Sequence, residues 1–435
     1  MARVVLATLG SYGDLFPYLT LGRALAARGH TPVIATSPSH EPIVTSAGLA
    51  FHPLRPDVNV SDRALMQSLM GQMRGSERVV KMVLEMTREN YADLDDAVRG
   101  ADLLLTHPLT FAGPLIVKKR PSLRWASSVL APLSFFSAYD PPLMPAAPWV
   151  SALLRHMGPR VARKANGAMK RITAGWLGPL HELARDQGVT LDGHPLFEGQ
   201  HAPDLVLGLY SPVIGAPQPD FPAQAIITGF LFHDETPPGL EASADQARAF
   251  AAQGESPIVV TLGSSAVLID DGVFAETVAM GRRTIALVGP DPGAVERYRG
   301  IEHVLAVPYL PHHVVMPLAS VIIHQGGVGT TGQALRAGKP AVIVPFSHDQ
   351  PDNAARCARI GVAKVIPRGR YNRRTAGAAI RELLGDPAYA MRAAAVGASV
   401  RAEHGAETAC DAIAAMLGAS NLTDTARRSS SRRTA

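Results

Sequence analysis

The chain has 435 residues, of which 47% are apolar and 18% charged, which is material for more than one core, since domains cluster around roughly 100–200 residues. Of the formal net charge of +5, +3 lies after Gly418, where Arg427, Arg428, Arg432 and Arg433 stand against Asp424; the remainder is close to neutral, so nucleic acid is not implied as a partner. Cys357 and Cys410 are too few for a disulfide framework and lack metal-ligand spacing, no apolar run is long enough to span a bilayer, and Arg3 opens directly into apolar residues without signal-peptide architecture, which together predict a cytoplasmic protein.

Val4-Val5-Leu6-Ala7 reads as a buried strand, followed by the loop Thr8-Leu9-Gly10-Ser11-Tyr12-Gly13-Asp14. Pro17 to Arg28 has helical spacing through Leu21 and Leu25 and stops at Gly29, before a strand at Thr31 to Thr36. Met66, Met70 and Met73 recur at helical spacing, which suits either an adaptable apolar pocket or an ordinary core. Leu103-Leu104-Leu105 reads as a strand leading to His107. From Pro141 to His181 there is no acidic residue, while Arg155, Arg160, Arg163, Lys164, Lys170 and Arg171 share the stretch with apolar side chains. Two readings stand: a basic amphipathic segment peripheral to an anionic membrane, or a helix with a solvated basic face.

The proline-rich stretch 213–238 has few helix signals and predicts an interdomain linker. Beyond it, Val260-Thr261-Leu262-Gly263-Ser264 echoes Ala7-Thr8-Leu9-Gly10-Ser11, each after a β-branched run. Each echo opens a Rossmann-type half, which gives domains 1–212 and 239–417, with 418–435 as a disordered basic tail. Strands alternating with helices predict parallel sheets with ligands at their carboxyl ends. A nicotinamide enzyme is excluded: Gly10-Ser11-Tyr12-Gly13 lacks the full G-x-G-x-x-G, and Ala35-Thr36-Ser37 offers no acid for a ribose diol.

Val321-Ile322-Ile323 predicts another buried strand, followed by His324-Gln325-Gly326-Gly327-Val328-Gly329-Thr330 and a helix from Thr330 to Ala337. A helix N-terminus presents unpaired N–H groups and a partial positive charge, so this turn reads as a phosphate cradle, although a Gly-rich turn also serves merely to reverse the chain tightly. Gly338-Lys339-Pro340, Val342-Ile343-Val344-Pro345 and Asp349-Gln350 follow.

Together these motifs resemble the donor-sugar signature of family 1 glycosyltransferases, and more narrowly a bacterial branch with rhamnosyltransferases, sterol glucosyltransferases and antibiotic glycosyltransferases. The resemblance spans nearly the whole chain and is sharpest from Tyr309 to Asn353. It implies an α/β fold of GT-B type, two Rossmann-like domains facing across a cleft, with the acceptor in the first and the nucleotide sugar in the second. It implies an inverting hexosyltransferase moving a hexose or deoxyhexose, of dTDP-rhamnose or UDP-glucose type, to a hydroxyl of a lipophilic small molecule or lipid. The nucleotide-sugar donor is then a co-substrate, with no further cofactor and no metal.

The same resemblance distributes roles. His324 contacts the diphosphate; Gly326, Gly327, Gly329 and Thr330 offer N–H groups and a hydroxyl; Gly263 and Ser264 close over the phosphates. Asp349 and Gln350 bind the sugar hydroxyls. Tyr309 stacks on the nucleobase or packs in the core. Gln333 stands where many UDP-glucose users carry Glu for the ribose diol, which a Gln binds less strongly; that favours dTDP and leaves UDP open. Asp14 takes the place of the catalytic base, or else caps the helix beginning near Pro17. His107 lies roughly where members with a His base keep an Asp partner, so it forms a swapped pair with Asp14 or is a plain loop histidine; it stays outside the catalytic set. A nucleotide-sugar epimerase or hydrolase on the same fold, and a non-catalytic nucleotide-sugar sensor, are the alternative functions.

Overall fold

The computed structural model describes residues 1–71, 74–143, 148–237, 239–269 and 272–431, with the backbone course alone for 148, 149, 152 and 419–431. Short β-branched and leucine-rich runs form two wholly parallel sheets. The first contains β1 Arg3–Ala7, β2 Thr31–Thr36, β3 Ala50–Pro53, β4 Leu103–Thr106, β5 Arg124–Val129, β6 Val206–Gly208 and β7 Ala225–Ile227, in the order 3-2-1-4-5-6-7. The second contains β8 Ile258–Thr261, β9 Thr284–Leu287, β10 Val304–Val307, β11 Val321–His324, β12 Ala341–Ile343 and β13 Ala363–Val365, in the order 10-9-8-11-12-13. The central strands are buried on both faces, as parallel strands covered by helices must be. Both sheets therefore repeat one doubly wound plan, the α/β two-domain arrangement expected from the Thr-Leu-Gly-Ser echo.

The first helix departs from expectation. It runs Tyr12–Ala27, with Ser11 as N-cap, and carries Pro17 in its second turn. Proline cannot donate the hydrogen bond this position calls for, but the capped first turn and the buried Leu15, Tyr18, Leu19 and Leu21 hold the helix through it. The cradle helix likewise begins earlier than the sequence suggested, at Val328, and ends at Ala337 before Gly338 in the left-handed conformation.

The domain boundaries shift. The stretch 213–238 is not all linker, because β7 lies within it and pairs with β6 at the edge of the first sheet. The crossing to the second half comes after Ile227, and the Glu241–Ala252 helix follows. Nor does the second half run on to 417: the Gly405–Ser431 helix returns to the first half, where Ala409, Cys410, Ile413 and Met416 pack against Leu15, Leu19 and Leu25. Its backbone continues as helix through 418–431, where a disordered tail was expected, and 432–435 lie outside the described residues. A third set of buried residues joins the halves, with Val129, Phe135, Tyr210 and Ile214 from the first meeting Ala354 and Cys357 of the second. Of the methionine stripe, Met66 packs beside Leu69, whereas Met70 enters the core of the second half; Met73 lies outside the described residues.

Candidate active site

In a doubly wound sheet a crevice opens at the carboxyl ends of the strands where the winding reverses. In the first half that point lies between β1 and β4 and receives Asp14 and His107; in the second it lies between β8 and β11 and receives Gly263, Ser264, His324 and Gln325.

Asp14 turns out to serve a cap and face the cleft at once. It is the third residue of its helix, and its Oδ2 accepts from Ser11 N at 2.8 Å and Ser11 Oγ at 3.2 Å, while Ser11 Oγ accepts from Gly13 N at 3.3 Å. This capping box engages one carboxylate oxygen. The other, Oδ1, lies 3.4 Å from His107 Nε2. His107 is buried, and its Nδ1 accepts the N–H of Leu109 at 3.2 Å, so in the neutral ring the proton sits on Nε2, toward Asp14. Burial pushes the Asp14 carboxyl up, but His107 and the Ser11 donors outweigh it and hold the group below the usual carboxylate range. Asp14 is thus a carboxylate at neutral pH with 32% of its side chain exposed.

Across the cleft, His324 is buried, and its Nδ1 accepts from Gly326 N at 3.1 Å. Burial pushes its pKa down to about 3, so the ring is neutral and Nε2 carries the proton. Gly327 is the N-cap of the cradle helix, and Val328, Gly329 and Thr330 make its first turn, whose N–H groups have no partner within the helix. Thr330 Oγ1 accepts from Gln325 Nε2 at 3.3 Å, which orients the hydroxyl and leaves its O–H to donate. Gln325 was not singled out from the sequence; its side chain lies against Gly263, which has φ +66° and no room for a Cβ. Ser264 is half-buried beside it, and Gln333 is half-buried one turn beyond Gly329, on the same helix face.

Asp349 stands at the N-cap of the Gln350–Arg359 helix without capping it. Its Oδ2 accepts from Asn353 Nδ2 at 2.7 Å, and Asn353 Nδ2 also donates to Gly326 O at 2.9 Å, which ties the acid to the cradle. Burial, with the charge of Asp14 adding to it, pushes the Asp349 carboxyl up to about 7, against the lowering effect of Asn353 and of the Val328 N–H that it accepts. Gln350 is buried, with Oε1 accepting from Phe346 N at 2.9 Å and Ser347 N at 3.3 Å, which leaves its amide N–H groups for a ligand. Tyr309 is 43% exposed on the loop after β10, so the core-packing alternative falls away and its ring is open for stacking. Among the described residues, no three His, Cys, Asp or Glu side chains converge as a metal cluster.

Residues 4–98 match the glycosyltransferase family 28 N-terminal domain, and residues 294–419 match the erythromycin biosynthesis protein CIII-like C-terminal domain. The O-mycaminosyltylonolide 6-deoxyallosyltransferase of Streptomyces fradiae is 32% identical over 426 residues, covering 94% of this chain and 96% of that protein. The sterol 3-beta-glucosyltransferase of Pichia angusta is 26% identical over 94% of this chain, which spans 33% of that protein's length. Among solved structures, the spinosyn forosaminyltransferase SpnP has a TM-score of 0.68 at 18% identity, covering 96% of this chain and 99% of its own. The glycosyltransferase VinC in complex with dTDP has a TM-score of 0.67 at 19% identity, covering 94% and 98%. The paired doubly wound sheets and these structural likenesses define the GT-B class. Within it, the chain belongs to the family 1 glycosyltransferases, with antibiotic and sterol glycosyltransferases among its relatives.

Proposed function

We propose that this glycosyltransferase moves a hexose or deoxyhexose, with inversion, from a nucleoside-diphosphate sugar to a hydroxyl of a lipophilic natural product. The observation that carries this reading is Asp14, held by Ser11 and His107 at the carboxyl end of the first sheet, with its charge acting on Asp349 beside the Gly-rich turn of the second. Asp14 Oδ1 takes the proton of the acceptor hydroxyl as its oxygen attacks the anomeric carbon. The bond from that carbon to the diphosphate breaks, and the departing oxygen keeps the electron pair. Its charge is met by the N–H groups of Gly329 and Thr330 and by His324 Nε2–H, while the Val328 N–H is donated to Asp349. His107 orients the base. Because the helix N-terminus supplies the positive potential, the reading includes no metal ion.

A thymidine donor is supported by Gln333 in place of an acid and by the likeness to a structure solved with dTDP. A lipophilic acceptor is supported by the tylonolide and sterol transferases among the relatives. The surface also favours contact with an anionic lipid face: the Pro148–Met157 and Pro159–Ala174 helices expose Leu153, Met157 and Ile172 beside the exposed Arg160, Lys164 and Arg171.

Titration calorimetry with dTDP and with UDP, in the presence of EDTA, tests the donor assignment. Tighter binding of dTDP is expected; preference for UDP redirects the donor to the UDP-glucose type, and binding of neither removes the cradle reading. Donor incubated without acceptor then separates the alternatives, since an epimerase or hydrolase consumes it and a sensor leaves it intact with or without acceptor.

A further inference from the structure

The Gln350–Arg359 helix belongs to the donor half by sequence, yet both of its ends are fastened to the acceptor half. At the start, Ser347 Oγ donates to Gly71 O at 3.2 Å, and the His348 ring pairs with Ser76 Oγ at 3.1 Å and with the carbonyl of Leu69. His348 holds φ +58°, a left-handed conformation uncommon for a residue with a side chain. The neighbouring Met70 is buried in the donor-half core beside Phe346, which anchors the contact with apolar packing.

At the other end, Arg356 is 1% exposed. Its guanidinium donates to Asp352 Oδ2 at 2.6 Å, to Ile214 O at 3.0 Å and to Asp140 Oδ2. Arg359 donates to Asp140 Oδ1 at 2.8 Å, and Asp352, in the first turn of the same helix, accepts through Oδ1 from Leu143 N at 2.7 Å. Asp140, Leu143 and Ile214 all come from the acceptor half. A buried guanidinium left without partners is strongly unfavourable, so this junction ties the helix to the other half firmly.

We infer that the Gln350–Arg359 helix is a bridge whose two fastenings set Asp349 and Gln350 in register with Asp14, with His348 and Arg356 as positioning residues. The inference rests on the reading of Asp14 as base and of Asp349 and Gln350 as sugar-binding groups. One fastening leaves a helix free to swing; two fix it along its axis and about it. The cradle at Val328–Thr330 follows β11 within the donor half and meets the bridge through Asn353 and Asp349, not through the fastenings to the acceptor half. Loosening the bridge therefore separates turnover from nucleotide affinity.

The test combines Ser76→Ala and Asp140→Asn, neither of which touches the cradle or the base. Spin labels at Glu85→Cys and Glu255→Cys, both exposed and in opposite halves, report the distance between halves; the native Cys357 and Cys410 are buried and escape labelling. The expected result is a broadened distance distribution, dTDP affinity within about threefold of the parent, and kcat lowered about ten- to a hundredfold, with dTDP-glucose as donor and 4-nitrophenol as acceptor. An unchanged distribution with parental kcat overturns the inference, as does loss of dTDP binding in step with kcat. If the doubly substituted protein does not fold, Ser76→Ala alone decides by the same readouts, since it removes one exposed hydroxyl. If the parent does not turn over this donor and acceptor pair, the distance distribution and the dTDP affinity judge the bridge, and the proposed function is judged by the calorimetric and donor-consumption tests.

Discussion

After β1, Thr8-Leu9-Gly10-Ser11 runs into a helix of 16 residues; at the end of β8, Thr261-Leu262 leads into one of four that begins with Gly263 and Ser264. Both glycines have positive φ, +137° at Gly10 and +66° at Gly263. In both, the space a side chain would occupy is already filled by a polar group. At Gly10 that group is the Asp14 carboxyl, returned by the turn of its own helix; at Gly263 it is the Gln325 amide, delivered by the adjacent strand β11. The same loop in the same place of the same strand order thus presents an acid in one half and an amide with bare backbone in the other. An acid suits a proton in transfer, and an uncharged lining suits a diphosphate, so the repeated loop differs in what is packed against it.

The strongest way to break this comparison is Asp14→Asn. It keeps an oxygen for the Ser11 contacts but cannot take a proton, so turnover is expected to fall about 10²–10⁴-fold with dTDP affinity unchanged; steady-state kinetics beside calorimetry checks this, and full activity removes Asp14 from the mechanism. The next effect falls on the other loop. Gly263→Ala places a Cβ against the Gln325 amide in a conformation alanine resists, so nucleotide affinity is expected to weaken about tenfold. Adding Gln325→Ala clears the space and is expected to recover part of the loss, measured by the same titration. The smallest effect is His107→Gln. His107 helps hold Asp14 below the usual carboxylate range, so removing the imidazole raises that pKa. The acid limb of the pH–rate profile is then expected to move to higher pH, with turnover at neutral pH lowered by about tenfold or less. An unmoved limb assigns His107 to the fold alone.

The central strands β1, β2, β4, β8 and β11 were legible because a short apolar run buried on both faces announces itself in sequence, whereas β3, β7 and the other outer strands carry a weaker pattern and were not singled out. The Gly-rich turn and the helix it opens were legible for a related reason, because Gly326, Gly327 and Gly329 stand almost consecutively between an apolar strand and a helical run. The start of the first helix was not, because Pro17 imitates a first-turn residue while the real cap, Ser11, lies in what reads as a Gly-rich loop. The return of the Gly405–Ser431 helix was equally hidden, since its apolar positions do not say which half they cover. Polar partners distant in sequence were the least legible. Asp140 and Arg356 are 216 residues apart, and nothing in the periodicity of either segment points to the other. His107 was tied to Asp14 only through resemblance, and the geometry supplies the hydrogen-bond orientation that resemblance lacks.

The returning helix has a practical meaning. The outward crossing and the return lie side by side: Ser211 Oγ donates to Glu403 Oε1, the Glu403 side chain lies against Gly229, and Gly405 sits against the carbonyl of Phe230. The donor half is thus an internal cassette, hung from the rest of the molecule by two neighbouring strands of chain. Anyone recombining donor specificities among relatives must cut twice, near Gly229 and near Glu403, and carry the Ser211–Glu403 contact across as a matched pair. A single splice that exchanges everything after the crossing also replaces the helix that covers Leu15, Leu19 and Leu25, and so alters the acceptor half it was meant to preserve.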